Sequence, residues 1–173
     1  IPEMETDLER LEQIGRRFSK MGSKSDFEEF DLSIRIEKII TYLGKRLPSL
    51  GKTVELVNDI EPGIKIFANG SLLAWSIENI IRNGIDSINK SDGKISISLK
   101  KELSEIKIKI KDNGKGIPKK DWKNIFRPGF STKKAGWGLG LSLASRIIED
   151  IHNGQIRVVE SSIDEGTLIE IRL

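Results

Sequence analysis

Residues 105–117 read Glu-Ile-Lys-Ile-Lys-Ile-Lys-Asp-Asn-Gly-Lys-Gly-Ile. Ile106, Ile108 and Ile110 alternate with lysines, the period of a strand with one buried and one solvated face. Asp112 therefore stands at a strand end, with Gly114 and Gly116 just beyond it. Two glycines that close together let a backbone approach a flat ligand. Asp-Asn-Gly also marks an ordinary turn, and these residues alone do not separate the two readings.

Working outward, Ile95, Ile97 and Leu99 repeat the same alternation and predict a second strand. Before it, residues 71–89 predict a helix capped by Ser71, with Ile77, Ile81, Ile85 and Ile88 as its core stripe. Asn79, Asn83 and Asp86 stack on another face at i, i+4 and i+7. Asn is a poor helix-interior residue, so two of them one turn apart need a reason. A solvated surface is one such reason, and a hard cation seeking amide oxygens, such as magnesium on a triphosphate, is another.

Further upstream, residues 27–31 read as extended, and residues 33–47 as a helix with Ile36, Ile39, Ile40 and Leu43 on one face. Pro48 stops that helix. Residues 53–57 and 64–67 read as short strands. Residues 3–22 predict a helix with Ile1, Met4, Leu8, Leu11, Gly15 and Phe18 at spacings of three and four. Residues 22–25, Gly-Ser-Lys-Ser, break it. Downstream, residues 113–137 form a loop of roughly two dozen residues with one short helix near 120–125, and a loop that long is usually functional. A helix at 139–151 and strands at 155–160 and 167–173 complete the pattern.

The chain has 173 residues, 37% hydrophobic and 32% charged, which is enough for one compact domain that folds without a disulfide or metal. Zero cysteines exclude disulfide frameworks, thiolate zinc, iron–sulfur clusters and cysteine nucleophiles. The single histidine excludes a multi-histidine metal centre, and a catalytic triad would have to use His152, beside an Asn-Gly turn. This composition suits a reducing cytosol. Lys plus Arg number 29 against 26 Asp plus Glu, interspersed rather than blocked, and only 6% of residues are aromatic. A nucleic-acid binder would show a basic stripe with interleaved aromatics. No apolar run is long enough to span a membrane. The opening Ile1-Pro2-Glu3, with neither an initiator Met nor a signal peptide, leads us to expect a piece of something longer.

Two further glycine motifs need weighing. Gly51-Lys52-Thr53 has the ending of a P-loop, but Arg46 stands where that motif needs Gly, and the order is helix to strand. Gly136-Trp137-Gly138-Leu139-Gly140-Leu141 opens an apolar helix. Backbone N–H groups and the positive end of the dipole at a helix start suit phosphate; a plain helix cap with close packing is the other reading.

The order and spacing of these pieces carry more than each alone. A helix with Glu78-Asn79-x-x-x-Asn83, a strand, Asp112-x-Gly114-x-Gly116, a Phe-containing loop, Gly138-x-Gly140, a helix, then Gly166-Thr167 resembles the ATP-binding domain of sensor histidine kinases. That domain belongs to the Bergerat-fold ATPases, with gyrase, the ninety-kilodalton heat-shock chaperones and MutL. Asn124-Ile-Phe-Arg-Pro-Gly-Phe-Ser-Thr-Lys133 resembles the lid, with Gly129 and Trp137 departing from the commoner Phe and Thr.

The resemblance implies an α+β fold. It would be a two-layer α/β sandwich whose mixed, mostly antiparallel sheet of about five strands is covered on one face by about three helices, plus an N-terminal helical stub. Residues 1–24 would end a dimerisation and phosphoacceptor bundle, and residues 25–173 would be the catalytic domain. Asp112 would accept from the adenine amino group, with Thr167 helping through a water. Gly114, Gly116 and Ile117 would line the base pocket. Asn83 would hold Mg2+, with Asn79 supporting it one turn away. Lys133 would face the phosphates, with Arg127 a weaker candidate, and Phe126 and Phe130 would anchor the lid. Thr132, Gly136, Gly138, Leu139, Gly140 and Leu141 would complete the nucleotide contacts.

Gyrase-like hydrolases carry a water-activating Glu where Asn79 stands here, and Glu78 lies about 100° around the helix. An amide is no general base, so hydrolysis should be slow and the γ-phosphoryl should await a histidine on a separate dimeric bundle. His152 matches a structural turn of the family, so the acceptor would precede residue 1. The implied cofactors are ATP and Mg2+. The implied partners are that bundle and a response-regulator receiver domain, in a homodimeric, cytoplasmic kinase whose catalytic piece touches neither nucleic acid nor membrane. The competing readings are a nucleotide-gated interaction module without phosphotransfer, a gyrase-like ATPase, and a serine kinase of the anti-sigma type.

Overall fold

The computed structural model describes residues 26–131 and 138–173. The expected helix over residues 3–22, the linker after it, and Thr132, Lys133, Gly136 and Trp137 lie outside the described residues. Strand β1 (Glu28–Asp31) leads directly into helix α1 (Leu32–Arg46). The Asp31 side chain accepts from the Ile34 N–H at 2.9 Å, satisfying a donor that the helix start leaves unpaired. Leu32, Ile36, Ile39, Ile40 and Leu43 form its buried face, and Lys45 and Arg46 sit at the negative end of the dipole. A single 3-10 turn at Pro48–Leu50 and a left-handed Gly51 end the segment before β2 (Val54–Ile60) and β3 (Lys65–Ala68).

Helix α2 (Gly70–Ser87) is capped by Asn69, whose Oδ1 accepts from the Leu72 N–H at 3.1 Å. The expected cap, Ser71, lies inside the helix instead. Either residue can cap; Asn69 does so because the β3 strand delivers it in the extended conformation that a cap requires. The hairpin β4 (Gly93–Glu102) and β5 (Glu105–Asp112) follows. The expected short helix near 120–125 is replaced by two 3-10 turns, Lys119–Asp121 and Asn124–Phe126, because Pro118 and Pro128 bracket too few residues for a stable α-helix. Helix α3 (Gly140–Arg146) runs on into a π-type turn at Ile147–Ile151, and β6 (Gln155–Ser162) and β7 (Gly166–Arg172) close the chain.

Five strands form one sheet in the order β2-β4-β5-β7-β6, while β1 and β3 pair separately. Only β2 and β4 are parallel, and a parallel pair needs a crossover; this one carries α2. The inward residues Ile95, Ile97, Ile108, Ile110, Ile169 and Ile171 meet the isoleucine stripe of α2 in a single core. Each such side chain contributes on the order of 2 kcal/mol by leaving water. The outer face of the sheet alternates in charge: Lys107 pairs with Glu102 and Glu105, Lys109 with Glu170, and Lys111 with Glu160. The fold is thus the mixed, mostly antiparallel sheet with helices on one face that the sequence implied.

Candidate nucleotide-binding site

Residues of the C-terminal half of α2 meet the loops that the sequence singled out. At its C-terminal end, Gly84 faces β5 so closely that a Cβ there would lie 2.9 Å from Ile95 Cδ1 and 3.3 Å from Asp112 Cβ. Asp112 is buried, and its Oδ1 accepts from the Gly114 N–H at 2.8 Å and, at 3.2 Å, shares the Ser87 hydroxyl proton with the Gly84 carbonyl at 2.7 Å. Burial pushes its carboxyl above the ordinary carboxylate range, opposed by the Gly114 amide, the Ser87 hydroxyl and the Thr167 backbone. One oxygen of the pair is thus anchored on protein donors.

Thr167 stands directly across the ladder from Asp112, on the same inner face of the sheet, and is also buried. Gly114 packs against Ser87, and Gly116, with φ +71°, packs against the Ser162 backbone with no room for a Cβ. The Ile117 N–H donates to Ser161 Oγ at 2.8 Å, and its carbonyl accepts from the Trp122 indole N–H at 3.1 Å. Asp112, Thr167, Gly114, Gly116 and Ile117 are therefore brought together as expected. Gly84, Ser87 and Ser161 belong to the same cluster, and sequence reasoning missed them. Ser87 carried a signal, since it continues the i, i+4 row of Asn79 and Asn83; Gly84 and Ser161 carried none.

Asn79 and Asn83, five residues and one residue before Gly84 on α2, face the start of α3. A Cβ on Gly140 would lie 3.1 Å from Asn79 Oδ1 and 3.8 Å from Asn83 Nδ2. Each Asn donates its amide to the carbonyl four residues earlier, Asn79 to Trp75 at 2.9 Å and Asn83 to Asn79 at 2.8 Å. A flipped amide would set oxygen against oxygen, so these bonds assign the nitrogen and leave Oδ1 as the acceptor end. Amide oxygens suit a hard cation that keeps most of its water. Among the described residues no group of three or more His, Asp or Glu could hold a metal, so an ion here would depend on phosphate and water oxygens as well.

Leu139, at the N-cap of α3, offers no side-chain acceptor to the first amides of that helix. Gly138, at φ +63°, sits against the backbone of Gly129 and Phe130, and its carbonyl accepts from the Gly129 N–H at 3.1 Å. Gly129 and Gly138, both with left-handed backbones, therefore meet. This accounts for Gly129 at φ +80°, a conformation that the commoner Phe would adopt only with strain. Phe126, Phe130 and Leu141 pack partly buried against the core, whereas Arg127 is exposed.

His152 lies at the other end of α2. Its Nδ1–H donates to the Ile147 carbonyl at 2.7 Å, and its Nε2 accepts from the Asn69 N–H at 3.1 Å. Phe27 packs on the ring at 5.2 Å between centroids. Both nitrogens are committed, so the lone pair that a phosphoacceptor needs is occupied. Burial holds the imidazole below the ordinary histidine value, with the Ile147 bond opposing. The unfolded chain therefore takes up a proton first, near pH 6.5. The stability contributed by the neutral ring is complete above that pH and is lost as the pH falls toward the folded-state value. The urea midpoint should drop between about pH 7.5 and about pH 5.5, and by more than in His152→Gln. Equal drops would show that the imidazole is not the group responsible.

The family described as "Histidine kinase-, DNA gyrase B-, and HSP90-like ATPase" matches residues 69–173. Sporulation kinase B of Bacillus subtilis (strain 168) is 31% identical over 170 residues, covering 97% of this chain and 39% of that protein. The chain therefore spans about two-fifths of that relative. Among solved structures, the catalytic domain of histidine kinase ThkA aligns with a TM-score of 0.75 at 24% identity, over 86% of this chain and 95% of that one. ThkA in complex with response regulator protein TrrA aligns with a TM-score of 0.75 at 23% identity, over 97% of this chain and 48% of that one. At these identities the structural likeness establishes the fold. Among the described residues no helix is long and apolar enough to cross a membrane.

Proposed function

This chain belongs to the family of histidine kinase-, DNA gyrase B- and HSP90-like ATPases, and from that premise we propose that it is the catalytic domain of a sensor histidine kinase. It binds ATP with Mg2+ and passes the γ-phosphoryl to a histidine on a separate helical bundle, for relay to the receiver domain of a response regulator. Residues 25–173 form the catalytic domain, and residues 1–24 end the bundle of a homodimeric kinase. One observation carries this reading: α2 joins a buried acceptor, Asp112 beside Gly84 and Ser87, to a pair of oriented amides beside Gly140.

Asp112 accepts from the adenine amino group, and Thr167 assists through a water. Asn83 Oδ1 holds Mg2+, with Asn79 supporting it; when bound, the ion supplies neutralisation of phosphate charge. The amides at the start of α3, with Gly136, Gly138, Leu139 and Leu141, receive phosphate oxygens. Thr132 adds a nucleotide contact, and Lys133 adds a cation for the phosphates. What the chain contributes is positioning and charge complementarity for transfer in line to an imidazole nitrogen. Asn79 stands where a hydrolase would place its general base, and an amide does not take up the water proton.

Incubating this chain with labelled Mg-ATP and a histidine-bearing bundle of a related kinase should place acid-labile phosphohistidine on the bundle and none on His152. Label on His152 would contradict the reading. Rapid phosphate release that does not depend on the bundle would favour a gyrase-like hydrolase instead.

A further inference from the structure

One rung of the sheet runs Leu56, Ile95, Asp112, Thr167, Ser161 across β2, β4, β5, β7 and β6. It changes from apolar to polar at Asp112, where the base end of the site begins. Ser161 reaches this rung only because the ladder is irregular. Val158 pairs with Ile169, but Glu160 pairs with Leu168, which leaves Val159 as the extra residue of a β-bulge. In an uninterrupted ladder Glu160 would stand opposite Thr167, on the inner face with Val158, and would aim a second carboxylate toward Asp112. The bulge reverses the phase. Glu160 turns outward to Lys111 at 3.3 Å, and Ser161 turns inward to Thr167.

A proton inventory follows from the distances. Ser161 Oγ accepts from the Ile117 N–H at 2.8 Å and lies 3.0 Å from the Gly166 carbonyl and 2.8 Å from Thr167 Oγ1. A hydroxyl has one proton to give. If Ser161 gives it to the Gly166 carbonyl, which can only accept, then the Thr167 hydroxyl donates to Ser161 and all three contacts are hydrogen bonds. If Ser161 gives it to Thr167, the Gly166 contact becomes oxygen against oxygen. The first arrangement gains a bond, and in it Thr167 has already spent its proton.

We infer that Ser161 is a specificity-determining residue that acts through Thr167, holding that hydroxyl as an acceptor so that the base end of the site presents acceptors alone and selects a 6-amino purine over a 6-oxo purine. Asp112 accepts one hydrogen of an amino group, and a water that spends both its protons on Asp112 and Thr167 has only a lone pair to offer the other. A 6-oxo group meets oxygen at both. Ser161 is thus a positioning residue with no contact to the nucleotide of its own.

The inference rests on the ATP-binding reading, and the test separates the two. ATP and inosine triphosphate affinities are measured for the full chain by titration calorimetry. In Ser161→Ala the Thr167 proton is released to face the base, and the preference for ATP over inosine triphosphate should contract roughly three- to ten-fold. Ser161→Thr keeps the hydroxyl and should keep the preference. Loss of the acceptor for Ile117 would weaken both nucleotides equally, so the ratio is blind to it. In a Thr167→Val background, Ser161→Ala should leave the ratio unchanged. Should Ser161→Ala fail to fold, Ser161→Cys retains the shape with a weak donor and carries the same expectation. An unaltered ratio in Ser161→Ala, or a contraction that persists with Val at 167, overturns the inference and spares the ATP site. A wild-type chain that does not prefer ATP removes the ATP-site reading itself, and the inference with it.

Discussion

Replacing Asp112 with Asn is expected to lower ATP affinity by roughly two to three orders of magnitude while the fold survives. In the native chain the carboxylate sits at the end of β5, one oxygen held by the Gly114 N–H and the Ser87 hydroxyl. An amide keeps at most one acceptor oxygen and presents NH2 where the other stood. If that NH2 faces the nucleotide, two donors oppose each other; if the amide flips, NH2 opposes the Gly114 and Ser87 donors instead. Either way a buried polar group loses its partner. The fold has less to lose, because burial raises the native carboxyl above its unfolded value. Stability that this group contributes in its protonated form is present below the unfolded value and is gone once the pH rises through the folded one. At neutral pH the ionised side chain is therefore not a source of stability, and Asp112→Asn should keep its urea midpoint or raise it. The same sign predicts that wild-type ATP affinity falls as the pH is lowered through this raised carboxyl. Titration calorimetry across pH, paired with urea unfolding, reads both quantities. A variant that binds ATP normally would remove Asp112 from base recognition. One that fails to fold would make it structural.

Asn83→Ala should reduce phosphotransfer to a supplied histidine bundle by about a hundred-fold or more at fixed magnesium, since transfer of this kind depends on positioning and charge neutralisation. The Asn83 amide is tied to the Asn79 carbonyl, which orients its oxygen as the acceptor. Truncation deletes that oxygen and keeps the donors that hold Asp112, the Gly114 N–H and the Ser87 hydroxyl. Nucleotide binding measured in a chelator should therefore change less than three-fold, while the magnesium requirement for transfer rises. Alanine is the better helix former by about half a kcal/mol, so a loss of activity cannot be charged to a weakened α2. Asn83→Asp, which restores an oxygen, should recover part of the transfer. If magnesium dependence is the same in Asn83→Ala and wild type, the ion is held elsewhere.

The periodicities carried most of the architecture. Ile106, Ile108 and Ile110 alternate because one face of β5 is buried, and the isoleucines of α2 recur because one face of that helix is. These are local consequences of burial, so they are legible in a single chain. The ends of elements were less legible. Asn69 and Ser71 are both competent caps, and only the geometry delivered by β3 chooses between them. Residues 119–126 carry enough helix formers to suggest one helix, yet the flanking prolines leave two 3-10 turns.

In the site, the sequence alone determined the residues whose chemistry is written in motif and spacing. Asp112 with its glycines, Asn79 with Asn83, and Gly138 with Gly140 are each separated by a few positions along one segment. It also puts an amide, Asn79, at the position where the family resemblance implies a hydrolase's general base. Only the tertiary structure decided what surrounds them. Gly84 matters because α2 crosses the sheet at that point, and Ser87 because Asp112 ends β5 beneath it. His152 is committed because the turn after α3 lands on the start of α2. Ser161 faces inward because one unpaired residue, Val159, shifts the phase of β6. Such choices depend on which strands pair and in what register. The contacts of Ser87 with Asp112 and of Asn69 with His152 join positions 25 and 83 apart. No local pattern encodes a contact at that separation; it exists only once burial of the common core has fixed the strands beside one another.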